Sequence, residues 1–119
     1  MKLLLIEDDV FFQKFYSFKL SEQGFEIITA QNGVEGLERI RTDHPDLVLL
    51  DLIMPIKDGF GVLEEKKEDP TISSIPVLIF STLGQEDDIK KAINLGARDY
   101  VNKSFFDFDI LLMKIKSIQ

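Results

Sequence analysis

The sequence predicts a doubly wound α/β sandwich, a parallel sheet with helices on both faces. Three observations predict it. Five short strand-like segments, most of them apolar, each stop at a polar or turn residue, and apolar residues at helical spacing follow each of them. The units recur roughly every 20 to 25 residues, about the length a parallel crossover needs, and such crossovers are right-handed. The 119 residues, 45% hydrophobic and 29% charged, suffice for one domain with a core, and residues 1 to 119 read as that single domain.

The first run, Leu3-Leu4-Leu5-Ile6, ends at Glu7-Asp8-Asp9. A helical pattern follows to Gln23, with Asp9 placed to cap its start and Gly24 placed as a terminating glycine. Residues 25 to 30 read as a second strand, and Asn32-Gly33 turns the chain into a helix with Val34, Leu37 and Ile40 on its inner face. Leu47-Val48-Leu49-Leu50 is a third strand, buried on both faces by its continuous apolar run, and it ends on Asp51. A loop with Pro55 and Gly59, the latter expected to permit a turn closed to larger residues, leads to a short helix through Val62-Leu63. Residues 75 to 80 form the fourth strand, ending at Ser81-Thr82, and a helix with Ile89, Ala92 and Ile93 inward follows. Residues 99 to 102 form the fifth, ending at Lys103, before a last helix carrying Phe108, Leu111, Leu112, Ile115 and Ile118. The fold class is a flavodoxin-like (βα)5 three-layer sandwich with expected strand order 2-1-3-4-5.

Fourteen Lys and Arg against 21 Asp and Glu give a net charge of -7, a surface that repels phosphate backbones and anionic membranes. Direct nucleic-acid or membrane binding is not expected. Zero Cys removes disulfides, thiolate zinc sites and thiol nucleophiles. No apolar run approaches the roughly 18 residues of a membrane span, and Met1-Lys2 leads straight into a strand rather than a signal peptide. A cytoplasmic location is the expectation.

In open α/β sheets, ligands bind beyond the carboxyl ends of the strands where the strand order reverses. Those ends carry Glu7-Asp8-Asp9, Asp51, Ser81-Thr82 and Lys103: acids on strands one and three, a hydroxyl on four, an amine on five. In the expected order Asp8 and Asp51 face each other across one strand spacing. Carboxylates at that range repel unless a cation lies between them, and oxygen ligands without His or Cys favour a hard ion such as Mg²⁺. Any one of these acids alone reads as a solvated helix cap. Four strand ends with complementary chemistry do not. The G-x-x-x-x-G-K-[ST] and G-x-G-x-x-G motifs are absent, and an FMN phosphate would be repelled by Glu7-Asp8-Asp9.

The segments LLLIEDD at 3 to 9, VLLDLIMPIKDGF at 48 to 60, IPVLIFST at 75 to 82 and GARDYVNKSF at 96 to 105 together resemble the receiver domain of two-component response regulators, across the whole chain. The resemblance implies that Asp51 is the phosphoacceptor, receiving a phosphoryl group from a histidine kinase or histidine phosphotransfer protein. It implies that Asp8 and Asp51 hold Mg²⁺ directly, Glu7 mainly through water, and the Ile53 backbone carbonyl as a further ligand. Ser81 would hydrogen-bond the phosphoryl group, Lys103 would pair with its oxygens, and Tyr100 would be the switch aromatic. The surface that changes would be the fourth helix, fifth strand and fifth helix, read by a downstream effector. Such a domain is a signalling module that catalyses only its own phosphorylation and dephosphorylation. A pseudo-receiver without phosphorylation, and a magnesium-dependent phosphohydrolase with an Asp nucleophile, remain as alternatives. The hydrolases place their Asp after the first strand with a second acid two residues on, whereas Asp51 follows the third strand and Ile53 stands two residues after it.

Several positions depart from the pattern or refine it. Thr82 stands where a small Ala is common and is expected to restrict the Tyr100 ring. Ile53 and Leu83 flank the expected path of an attacking water, and as apolar groups they are expected to prolong the phosphorylated state. Ser104 replaces a proline that follows the lysine through a cis bond. A strained cis bond is the expectation here, so that Lys103 still reaches the pocket and Phe105 still packs. A dimer bridged from the acid at Asp99 to an arginine on the last helix is disfavoured because Met113 occupies that position; a monomer or weak dimer is expected. His44 is expected at the surface. On the first helix, Phe11, Phe12, Phe15, Tyr16, Phe18 and Leu20 span more arc than core packing needs. The edge carrying Phe11 and Phe18 is therefore expected to be partly exposed, as an apolar anchor for the donor's helices beside the reactive pocket.

Overall fold

The computed structural model describes residues 1 to 104 and 107 to 118. Ten elements alternate along the chain: β1 (Lys2–Ile6), α1 (Val10–Glu22), β2 (Glu26–Ala30), α2 (Gly33–Asp43), β3 (Leu47–Leu50), α3 (Gly59–Glu68), β4 (Val77–Ser81), α4 (Glu86–Asn94), β5 (Asp99–Asn102) and α5 (Phe108–Ile118). The five strands are parallel in the order β2-β1-β3-β4-β5, as the sequence predicts.

Alternation along the central strands divides the core into two layers. Leu4, Ile6, Val48, Leu50, Val77 and Ile79 face α2, α3 and α4, meeting Leu37, Ile40, Val62, Leu63 and Ala92. Leu3, Leu5, Leu47, Leu49, Leu78, Phe80 and Val101 face α1 and α5, meeting Tyr16, Leu20, Leu111 and Ile115. Side-chain caps define three helix starts. Asp9 accepts from the Phe12 amide at 3.1 Å, Asn32 from Glu35 at 2.9 Å and Asp58 from Gly61 at 2.9 Å. α1 closes on Gly24 at φ 92°, a left-handed conformation that glycine adopts without a Cβ clash.

Two inward expectations fail. Val34 and Ile93 are exposed, because Gly33, Gly36, Leu37 and Ile40 form the face that α2 buries, and Val34 sits roughly 110° around the helix from their mean direction. α4 buries Ala92 alone. A third correction concerns the loop after β3. The left-handed residue there is Ile56, at φ 70°, not Gly59. Gly59 begins α3, and what it permits is close approach: a Cβ there would lie 2.5 Å from the Asp51 carbonyl oxygen and 2.8 Å from the Leu52 Cα. His44 is exposed as expected, in the left-handed conformation at the end of α2.

Candidate functional site

Strand register brings the polar strand ends together. Ile6 pairs with Leu50, and the Asp51 amide donates to the Ile6 carbonyl at 3.1 Å, which puts Glu7 and Asp51 side by side just beyond the apolar layer. Ser81 ends β4 opposite Asn102, and the Lys103 amide donates to the Ser81 carbonyl at 2.9 Å. Backbone pairing thus positions each functional side chain before any side-chain contact forms.

Within this cluster the Ser81 hydroxyl donates to Asp51 Oδ1 at 2.8 Å, and the Ile53 amide donates to the same oxygen at 3.2 Å. Lys103 Nζ lies 3.4 Å from Asp51 Oδ2 and forms an ion pair with Glu7 Oε2. The Lys103 side chain is only 4% exposed. Burial pushes the Glu7 carboxyl from its ordinary 4.5 up to about 7; the Lys103 ammonium pulls against that rise and the Asp51 charge adds to it. Glu7, Asp8 and Asp51 each offer one oxygen, all within 4.8 Å of one another, and Asp8 is exposed while its two neighbours are buried. Three hard oxygen donors with one side open to solvent fit a divalent cation such as Mg²⁺.

Tyr100 is half-buried at the β5 edge of this cluster. Its hydroxyl donates to the Ser81 carbonyl at 3.5 Å, and its pKa is pushed up to about 12, first by burial and then by the charges of Asp88 and Asp51. The expected cis bond before Ser104 is not there: no cis peptide occurs among the described residues, and Lys103 reaches both carboxylates from a trans backbone. Four rotatable bonds give the lysine that reach without help from the loop. The expectation for Phe105 lies outside the described residues.

On α1, Phe11 is 87% exposed and Phe18 65%, as expected, and Phe15 joins them at 54%. Phe11, Phe12, Phe15 and Tyr16 line an open groove of about 380 Å³. Two contacts here have no clear signal in the sequence. The Glu7–Lys103 pair links residues at opposite ends of the chain, and Phe12 brings its ring within 4.7 Å of Lys103 Nζ. Asp99 is met within the chain by Lys114, at 3.0 Å.

A doubly wound parallel sheet that gathers acids, a hydroxyl and an ammonium at one carboxyl edge defines a class of α/β domain with its chemistry at the topological switch point. The response regulator receiver domain family model matches residues 3–116, and the chain belongs to that family, the receivers of two-component signalling. It is similar to the probable transcriptional regulator ycf27 of Cyanophora paradoxa, 38% identical over 104 residues, which are 87% of this chain and 42% of that protein. The chain spans less than half the length of such curated relatives. Among solved structures it resembles the Francisella response regulator 1452 receiver domain, with 29% identity, TM-score 0.89 and coverage of 98% of this chain and 94% of that one. It also resembles a chain of the CheX-CheY-BeF3-Mg²⁺ complex of Borrelia burgdorferi, with 29% identity, TM-score 0.91 and coverage of 99% and 88%. Among the described residues no helix is long and apolar enough to cross a membrane.

Proposed function

We propose that Asp51 accepts a phosphoryl group from a phosphohistidine on a histidine kinase or histidine phosphotransfer protein. The observation that carries this reading is the company of one carboxylate: the Ser81 hydroxyl on one oxygen and the Lys103 ammonium on the other side. An Asp51 oxygen forms the bond to phosphorus as the bond to the imidazole nitrogen breaks; the donor ring, protonated on its other nitrogen, keeps the electron pair of the broken bond and leaves as neutral imidazole. Ser81 turns its hydroxyl from Asp51 to a phosphoryl oxygen, and Lys103 neutralises another. Glu7, Asp8, Asp51 and the Ile53 carbonyl are the proposed Mg²⁺ ligands, Glu7 mainly through water while its other oxygen holds Lys103. An ion held there would supply neutralisation of the charge that develops on the equatorial oxygens.

As Ser81 moves, the Tyr100 ring turns into the space it leaves, and α4, β5 and α5 change their outer surface for a downstream effector. Thr82 limits that turn. The apolar Ile53 and Leu83 leave an attacking water unoriented and lengthen the life of the acyl phosphate. The donor's helices pack on the exposed Phe11 and Phe18 beside the pocket. The domain acts as a monomer or weak dimer in the cytoplasm, and the capture of Asp99 by Lys114 within the chain supports that state. Its net negative surface makes no direct nucleic-acid or membrane contact, which leaves any such output to other parts of a regulator.

The test is intact mass after incubation with a small phosphodonor, with and without Mg²⁺. One phosphoryl mass is expected with the metal and none on Asp51→Asn; an unchanged gain on Asp51→Asn overturns the assignment.

A further inference from the structure

The Lys103 ammonium has a second set of neighbours that phosphoryl chemistry does not require. Besides the carboxylates, Nζ lies 4.7 Å from the centre of the Phe12 ring and 5.5 Å from that of Phe80. Both distances fall within the range, about 6 Å, in which a ring face attracts a cation, and the attraction strengthens where water is excluded. Lys103 is in that condition, with its side chain 4% exposed. The two rings hold each other edge to face at 6.5 Å. Tyr16 backs both, stacked on Phe12 at 5.2 Å and edge-on to Phe80 at 5.0 Å.

We propose that Phe12 is a positioning residue for Lys103: with Phe80 it forms an aromatic cradle that holds the ammonium at the Asp51 carboxylate. An ammonium has three protons to give and a ring face takes none of them as a full hydrogen bond, so the cradle fixes position while leaving the protons to oxygen. Glu7 takes one, and Asp51 Oδ2 lies within reach of another. When charge passes from the carboxylate to a phosphoryl group, the ammonium can follow it without leaving the ring faces. The backbone at this point supplies no such aim, since the Lys103–Ser104 bond is trans and Ser104 is exposed. Phe80 is core on the central sheet and would be buried whatever Lys103 did. Phe12, half-buried on α1, is the member that substitution can test.

The role rests on the reading of Lys103 as the partner of the phosphoryl group. Labelling rates with a small phosphodonor at saturating Mg²⁺ are compared for wild type, Phe12→Leu, Phe12→Tyr, Lys103→Met and Phe12→Leu combined with Lys103→Met. Phe12→Leu is expected to slow labelling about three- to tenfold and Phe12→Tyr less than about twofold, with no further loss when Phe12→Leu is added to Lys103→Met. A second readout needs no phosphorylation. The Lys103 Hε protons are expected at high field from the ring currents, the shift retained in Phe12→Tyr and reduced in Phe12→Leu, where only the Phe80 ring remains. Wild-type labelling by Phe12→Leu, the same slowing with or without Lys103, or an Hε shift that does not move overturns the cradle. Wild-type labelling by Lys103→Met overturns the reading of Lys103 itself and this role with it.

Discussion

Lys103 and Lys66 both carry an ammonium into the interior, near opposite ends of the sheet and in opposite company. Lys103 meets two carboxylates and two ring faces. Lys66, on α3, donates to the Ser73 carbonyl at 3.0 Å, and burial, then repulsion from Arg98, holds it below the usual lysine range. Burial of a charge is therefore no mark of function by itself. At Lys66 one carbonyl dipole offsets a desolvation cost; at Lys103 the charge answers an excess of negative charge that the fold has already concentrated.

The comparison breaks most visibly when the ammonium is removed from each site. Lys103→Met is expected to slow phosphodonor labelling by about 100-fold or more, the scale seen when one preorganised charge stabiliser is lost, while Lys66→Met labels as the wild type. Initial rates by mass spectrometry decide it. Next, Gly59→Ala displaces the carboxylate that Lys103 faces without changing any charge. Its Cβ would press on the backbone of Asp51 and Leu52 as well as the Leu52 side chain, and backbone cannot move aside cheaply, so urea unfolding is expected to register a loss of about 2 kcal/mol along with slower labelling.

A smaller effect of opposite sign is expected at Lys66. Replacing it with Met removes a buried charge and one hydrogen bond, for a net gain of about 1 kcal/mol at pH 7. Because the folded pKa lies below the ordinary 10.5, the unfolded chain binds the extra proton between the two values. Wild-type stability therefore rises with pH through that window, and its deficit against Lys66→Met closes toward pH 10. Urea midpoints at pH 7 and pH 10 test the sign. The smallest change is expected at a third lysine, Lys114, whose pair with Asp99 is partly exposed on both sides. Lys114→Met is expected to shift stability by less than about 0.5 kcal/mol.

The strand ends were legible in the sequence because a parallel sheet makes chemistry at its carboxyl edge a matter of where apolar runs stop. Asp51 after Leu50, Ser81 after Phe80 and Lys103 after Asn102 needed no knowledge of side-chain angles. The same logic could not foresee Glu7 pairing with Lys103, since that contact depends on which way a long side chain turns once β1 and β5 lie in one sheet. Lys66 stood in a run of charges, Glu64 to Glu68, that reads as a solvated helix face. Its burial follows from how the loop before β4 folds over α3. Phe12 was visible as one of several aromatics on α1, but which ring lies under an ammonium is set by packing against Phe80, which periodicity does not encode.

The Glu7–Lys103 ion pair joins positions 96 residues apart, and Ser81 meets Asp51 across 30. Both of these side-chain contacts span crossovers, so no local segment of chain can preform them, and loop-closure entropy delays them to the late stages of folding. A chain emerging from the ribosome holds Asp51 for nearly half its length before Lys103 can reach it. Competence to receive a signal is in this way tied to completion of the whole fold, and a half-folded or proteolysed molecule falls silent rather than reporting falsely.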